Sequence, residues 1–225
     1  MDYLLQLDTE TFLTINGAHV EWLDQVMKMF SGRMIWILLY VMIAAMLCRT
    51  FGWQRALIAV LGAGIAVGLS DYTCASVIRP LVERLRPSNP DNPISEMVHI
   101  VNGYRSGAYG FPSCHAANTM ALAMFTTLVF KRWGYGVVIF AWALMQCYSR
   151  IYLGVHYPGD LVAGAFVGIL WAVLVYMPMN RYVDFRDFNL RAVTPPVAWT
   201  IVAICMLIVA AAMGIPYLDQ ITNLK

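Results

Sequence analysis

Apolar positions arrive along this chain in two textures. Through residues 1–33 the apolar side chains Leu4, Leu5, Leu7, Phe12, Leu13 and Ile15 are interspersed with Asp2, Asp8, Glu10, Glu21 and Asp24. That mixture is too polar to cross a bilayer, and its period predicts one or two amphipathic helices lying at the interface. Such a segment either covers a bundle or helps hold a lipid tail. From Met34 onward six apolar runs follow, near 34–49, 55–78, 113–131, 135–152, 158–179 and 196–216. Each is long enough to cross or nearly cross a hydrocarbon core about 30 Å thick, at about 1.5 Å per residue. The first is short, so it is expected to begin before Met34 or to run past Arg49. The predicted architecture is all-α: a polytopic membrane bundle of six transmembrane helices over 34–216, preceded by the interfacial segment 1–33, in one domain over 1–225.

Composition sharpens this picture without changing it. Of 225 residues, 60% are hydrophobic and 12% charged, where a soluble domain carries about 25% charged. A net charge of +2 with no basic run gives no reason to expect nucleic acid. The five cysteines, Cys48, Cys74, Cys114, Cys147 and Cys205, lie mostly in apolar runs without metal-ligand spacing and read as small buried hydrophobes. Residues 1–33 lack a basic start followed by an apolar core, so no secretory signal is expected there.

Three polar interruptions stand out. In the second run Gly64 and Gly68 are four apart, which predicts a helix-packing face. Asp71 in the same run needs a partner at that depth. It lies eight residues before Arg79, where it would steady that arginine, and a hydrogen bond to a neighbouring hydroxyl would explain it equally well. The longest insertion, 86–112, is rich in Pro, Asn, Ser and Gly and exceeds a plain connector. It reads as an active-site loop, with Tyr104, Arg105 and Tyr109 as its candidate contacts; His99 in it and His19 near the start read equally well as exposed and idle.

Chemistry concentrates in three stretches. Ser149 to Asp160 reads SRIYLGVHYPGD, placing Arg150, His156 and Asp160 at fixed intervals. Arginine is a permanently charged fork suited to phosphate. A carboxylate beside a histidine fixes its tautomer and stabilises its positive charge. Pro158 is expected to open a helix, with Asp160 in its first turn. Alone, the stretch reads equally well as a helix-capping loop. The second stretch, Arg79 to Pro87, is RPLVERLRP, and the third, Phe111 to His115, is FPSCH.

Together the three resemble the signature of the type 2 phosphatidic acid phosphatase superfamily: Lys-x6-Arg-Pro, Pro-Ser-Gly-His and Ser-Arg-x5-His-x3-Asp. The third matches at every fixed position; Arg79 replaces the usual lysine, and Cys114 the usual glycine. The resemblance implies a metal-independent phosphatase without a cofactor. By it, His156 is the nucleophile that forms a phosphohistidine, Asp160 orients it, and His115 protonates the leaving group before activating water. Arg79, Arg86 and Arg150 form the phosphate cradle, with Ser113 and the backbone N–H of Cys114 at a helix N-terminus. Cys114 fits if its side chain turns away from the phosphate. The six apolar runs favour the integral membrane branch over the soluble haloperoxidases of the superfamily.

The run count puts all three motifs at one membrane face. The opposite loops carry Arg49, Arg55, Lys131, Arg132, Arg181, Arg186 and Arg191, beside Asp184 and Asp187, while Lys28, Arg33, Arg84, Arg105 and Lys225 are spread over the motif side. The positive-inside rule then directs the site outward. The location expected is a bacterial inner membrane, multi-pass, with the site facing the periplasm or exterior. The substrate partner expected is a lipid carrying a phosphate or diphosphate headgroup, first undecaprenyl diphosphate; lipid A and phosphatidylglycerol phosphate are the alternatives. A phosphotransferase would use the same residues with another acceptor. A non-catalytic lipid-phosphate binder or transporter is the reading of another class, though neither a midplane charge cluster nor a repeat is visible to favour it.

Overall fold

In the computed structural model the chain is described over residues 2–185 and 193–222, with side chains over 3–185 and 193–214. Arg186, Asp187, Arg191 and Lys225 lie outside the residues whose side chains are described. The regular structure among the described residues is helical, with one isolated antiparallel bridge, Leu85 to Tyr109. The N-terminal segment forms two helices, α1 (Asp2–Gly17) and α2 (Glu21–Phe30). α3 (Ile37–Phe51) follows a 3-10 turn at Met34–Trp36, so the short first run extends past Arg49 to Phe51. α4 (Trp53–Tyr72) continues through a π-helical turn at Thr73–Ile78 into α5 (Arg79–Val82). After the polar loop come α6 (Cys114–Phe130), α7 (Trp133–Tyr152), α8 (Pro158–Tyr182) and α9 (Thr194–Thr222).

All six expected apolar runs are helices, but they are not equal. Four segments are long and apolar enough to cross a membrane: Met34–Phe51, Trp53–Val82, Pro158–Tyr182 and Thr194–Gly214. Among the described residues this multi-pass chain therefore meets the length and apolarity requirement at four places, where six were expected. α6 is short, and α7 carries Gln146, Ser149 and Arg150 on buried positions. These are the two helices that face the interior, where polar side chains find protein partners instead of lipid.

α6 is the axis of the bundle, packed against α8, α4 and α7. Its approach to α8 is set by Gly164 and Gly168: a Cβ at these positions would lie 2.3 Å from the Ser113 carbonyl oxygen and 2.1 Å from that of Ala117. Only glycine lets the two backbones come that close. The expected seam at Gly64 and Gly68 is corrected by the structure. Both are exposed, with nothing within 4 Å of a Cβ built there. α4 buries Ala59, Gly62, Ala63, Ala66 and Ser70 instead. Spacing of small residues marks a face that permits close approach; the side chains on the adjoining stripe decided which face found a partner.

α2, α3 and α7 are joined around Trp36. Its ring is buried, meets Phe30 and Trp142 edge-on at 4.9 and 5.4 Å, and donates Nε1–H to the Phe30 carbonyl at 2.8 Å. The two histidines read as idle are in use. His19 and His99 stack at 3.6 Å, and His99 Nε2 lies 3.0 Å from Asp24, which also accepts from the Tyr152 hydroxyl at 2.6 Å.

Candidate active site

Four chain segments end at one place. Arg79 sits just beyond the π-helical turn, a wider turn that re-aims the side chains after it. Arg86 lies in the following loop and is fixed by a pair of backbone bonds, Arg86 N–H to Ala108 O at 3.0 Å and Gly110 N–H to Arg84 O at 2.8 Å. His115 is in the first turn of α6, Arg150 in the last turn of α7, and His156 just before α8.

Arg79, Arg86, Cys114, His115, Arg150 and His156 line one cavity of about 470 Å³, together with Arg33, Asp71 and Tyr109. Arg33 belongs to none of the three motifs, and only proximity in the fold brings it here. Arg79, Arg86 and Arg150 share a further property. Each has a buried Nε with no hydrogen-bond partner among the described residues. These Nε atoms are sealed away from the cavity; what marks it as suited to an anion is that three permanently charged guanidinium groups line it. Arg79 donates Nη2 to the Pro112 carbonyl at 3.0 Å and to Cys114 Sγ at 2.9 Å. Cys114 therefore does not turn away; its sulfur faces the cradle. Asp71 accepts from Asn118 at 2.8 Å, an amide in place of the Arg79 or hydroxyl partner expected. Arg150 Nη1 donates to Ser31 Oγ, and its guanidinium lies 5.9 Å from the Tyr104 ring. Arg105 donates to the Ser88 carbonyl within its own loop.

His156 is buried, with Nε2 2.8 Å from Arg86 Nη1 and Nδ1 3.4 Å from Asp160 Oδ2. A guanidinium can only donate, so Nε2 carries the lone pair and Nδ1 the proton. Burial, then the positive fields of Arg86, Arg150 and Arg79, hold the imidazole well below the ordinary histidine range. It is thus neutral, with the lone pair of Nε2 on the side of the cradle, where it accepts from Arg86. Arg86 itself is lowered to about 10 by burial and by Arg79 and Arg150, and stays charged at neutral pH. Gly110 covers this pair: a Cβ there would meet Arg86 Cγ and Asp160 Oδ2, each at 3.1 Å.

Asp160 and Ser113 lie behind the cavity wall. Asp160 is fully buried and accepts from Tyr157 N–H at 3.0 Å and Arg84 Nη1 at 3.0 Å as well as facing His156. Ser113 caps α6, its Oγ accepting from Ala116 N–H at 3.4 Å, an arrangement typically worth about 1 kcal/mol. His115 Nε2 is 3.2 Å from Gln146 Oε1, and Gln146 Nε2 donates to the Phe30 carbonyl at 3.2 Å. That second bond orients the amide, so His115 Nε2 is the donor and Nδ1 is left open. Gln146 and Arg84 escaped the sequence reading because neither occupies a fixed motif position; Arg84 was counted there only as a loop charge.

A second cavity, of about 440 Å³, shares His115 and Arg33 with the first. It runs between α3, α4, α6 and α7 past Ile43, Leu47, Val60, Leu122 and Trp142.

The chain is similar to several known proteins. A lipid A 4'-phosphatase of Bacteroides thetaiotaomicron is 45% identical over 181 residues, which cover 80% of each chain. A lipid A 4'-phosphatase of Porphyromonas gingivalis is 33% identical over 78% of this chain and 74% of its own. The fold is similar to that of Aquifex aeolicus LpxE, with a TM-score of 0.59 and 24% identity over 75% of this chain and 94% of that one. It is also similar to a PAP2-type phosphatidylglycerolphosphate phosphatase of Bacillus subtilis, with a TM-score of 0.60 and 22% identity over 83% and 90%. The sequence profile of the PAP2 superfamily matches residues 34–184, the stretch that holds the three motif arginines Arg79, Arg86 and Arg150 and both site histidines. With that match over most of its length, this chain belongs to the PAP2 superfamily and is one of its metal-independent membrane lipid phosphatases.

Proposed function

We propose that this protein removes a phosphate from a lipid A-type headgroup at the outer face of a bacterial inner membrane. The observation that carries the substrate is the 45% identity to the Bacteroides lipid A 4'-phosphatase over four-fifths of both chains. Undecaprenyl diphosphate, the substrate expected first, has weaker support: the Bacillus subtilis undecaprenyl-diphosphatase is 27% identical over 82% of this chain. The apolar cavity beside the cationic one supports a lipid of either kind.

In this reading Arg79, Arg86 and Arg150 take the phosphate oxygens through their guanidinium donors. His156 Nε2 attacks phosphorus while the bond to the lipid oxygen breaks. His115, entering this step protonated at Nδ1 as well, delivers that proton to the oxygen and becomes neutral, and the N–P bond of a phosphohistidine forms. His115 then takes a proton from water, the hydroxyl attacks phosphorus, and the N–P bond breaks to return neutral His156 and free phosphate. Asp160 holds Nδ1–H throughout and stabilises the charge that the ring carries in the intermediate. Cationic groups fixed before the charge develops supply the stabilisation that metal ions supply elsewhere.

The reading also takes the chain as one domain with all six of α3, α4, α6, α7, α8 and α9 crossing, α6 and α7 sheltered by the others. The excess of Lys and Arg at the end opposite the site supports the outward orientation.

Purified protein in mixed micelles should release phosphate from bisphosphorylated lipid A with a kcat/KM at least about tenfold above that for undecaprenyl diphosphate, a discrimination of about 1.4 kcal/mol. The reverse order returns the assignment to the diphosphate. Asp91→Cys should react with an impermeant thiol reagent on intact cells, above the unsubstituted protein, and Tyr182→Cys only after permeabilisation. The opposite pattern overturns the orientation.

A further inference from the structure

Helix α1 lies outside the segment matched by the family profile, yet one of its faces is fastened to the nucleophile loop at three successive turns. Asp8, Phe12 and Asn16 are four apart and share that face. Phe12 is fully buried and meets the Tyr157 ring edge-on at 5.3 Å. Asn16 is fully buried, donates to the carbonyls of Ile151, Tyr152 and His99 at 3.2, 2.9 and 3.2 Å, and accepts from His99 N–H at 2.8 Å. Those two contacts explain how α1 is held.

Asp8 goes further than holding. Its Oδ1 accepts from Gly159 N–H at 2.7 Å, one of the orphan donors of the first turn of α8. Its Oδ2 pairs with Arg84 Nη2 at 2.8 Å. The other arm of the same guanidinium, Nη1, reaches Asp160 Oδ1 at 3.0 Å, and its carbon stands 3.9 Å over the Tyr157 ring. Gly159 makes room for this: a Cβ there would lie 2.8 Å from Asp8 Oδ2. Arg84 is thus a fork held between two carboxylates, one from α1 and one from the catalytic pair.

We propose that Asp8 is a positioning residue, which by anchoring one arm of Arg84 keeps the other on Asp160 Oδ1 and leaves Asp160 Oδ2 for His156 Nδ1–H and the Tyr157 N–H. This rests on the reading of His156 as nucleophile. With Asp8 neutral, both arms of Arg84 are free to close on Asp160 in the bidentate arrangement that arginine and carboxylate prefer. Oδ2 would then be shared with the guanidinium, and the 3.4 Å contact to His156 Nδ1 would be the one to give. The imidazole would lose its orientation while the phosphate cradle of Arg79, Arg86 and Arg150 stayed whole. The interfacial segment is then more than a cover for the bundle.

The test compares Asp8→Asn, Arg84→Gln, the double variant and His156→Ala, as full chains, with kcat, KM and thermal midpoint measured on monodisperse protein. Asp8→Asn keeps the shape and an acceptor for Gly159 N–H, but sets an NH2 donor against Arg84 Nη2 in place of the carboxylate oxygen, so the anchor on Arg84 is what is lost. The expected result is a kcat about tenfold lower, a KM within twofold of wild type and a nearly unchanged midpoint. The double variant should be no slower than Arg84→Gln alone, because both act through one guanidinium. A kcat within twofold of wild type, a loss confined to KM, or costs that multiply in the double variant would each overturn the proposal. If Asp8→Asn does not fold, Arg84→Gln decides alone, and wild-type turnover in it overturns the proposal. An inactive His156→Ala beside a normal Asp8→Asn removes only Asp8 from the mechanism. An active His156→Ala removes the nucleophile assignment, and this inference with it.

Discussion

The two cavities that share His115 and Arg33 are of nearly equal volume, about 470 and 440 Å³, and of opposite chemistry. One is walled by guanidinium groups and imidazoles, the other by aliphatic and aromatic side chains. On the proposed reading, the difference separates two tasks a lipid phosphatase must perform on one molecule. The cationic cavity would act on charge that grows as the phosphoryl group transfers, so its residues should control turnover. The apolar cavity would meet hydrocarbon that is the same before and after transfer, so its residues should control binding. His115, which lines both, would stand where leaving oxygen and lipid part, and where that reading needs a proton.

The largest effect lies wholly in the cationic cavity. His156→Ala should bring hydrolysis to background, a fall on the order of 10⁶ by analogy with removing a nucleophile elsewhere, with substrate still bound. A variant with measurable phosphohistidine-type turnover would end the assignment. Next is Arg79, one of the three motif arginines that line that cavity. Arg79→Ala should lower kcat by about 10²–10³ with little change in KM, and Arg79→Lys should recover much of it. Near-normal specific activity of folded Arg79→Ala would move this residue out of the cradle.

The apolar cavity should answer in the opposite parameter. Gly64 lines it, and nothing lies within 4 Å of a Cβ there. Gly64→Leu should raise KM for a long-chain lipid phosphate about tenfold, displacing roughly two buried methylenes at about 0.8 kcal/mol each, and leave a short-chain substrate unchanged. An equal effect on both substrates would erase the distinction between the cavities.

A smaller effect concerns pH. The nucleophile must be neutral, and His156 is held well below the usual histidine value. The acidic limb of kcat/KM should therefore fall below pH 6.5. Arg150→Gln removes one of the cations that hold it down, so protonation becomes easier and the limb should move to higher pH. A limb that stays in place separates His156 from that titration. The smallest effect is none: EDTA should leave the rate unchanged, since guanidinium groups neutralise the phosphate, and a loss restored by magnesium would count against the cradle.

What the sequence made legible was what depends on short spacing. Arg150, His156 and Asp160 are within one loop and one helix turn, so their proximity is local. The six runs are visible because apolarity is additive along a helix. The contacts of Asp8 with Gly159 and Arg84 span 151 and 76 residues, and no local pattern announces them. Gln146 reads as one polar residue on an apolar helix until His115 is seen beside it. Asp71 had a plausible partner eight residues on, and took Asn118 from another helix. The polar side chains of α7 were hidden inside an apolar average and α6 is apolar but short, so six crossings were expected where, among the described residues, four helices have both the length and the apolarity.

The α6–α8 contact has a consequence for how such a chain is free to drift. At Gly164 and Gly168 any side chain would collide with a backbone carbonyl, which cannot rotate aside. Those two positions are closed to substitution whatever lipid is being processed, because moving them moves the helix that carries His115. Gly64 and Gly68 have nothing within 4 Å of a Cβ, and Gly64 lines the apolar cavity, so both are open to larger side chains and Gly64 to any that a new hydrocarbon favours. Relatives that diverge in substrate should therefore differ at the second pair and agree at the first. One glycine pair preserves the catalyst while the other is available to adapt its diet.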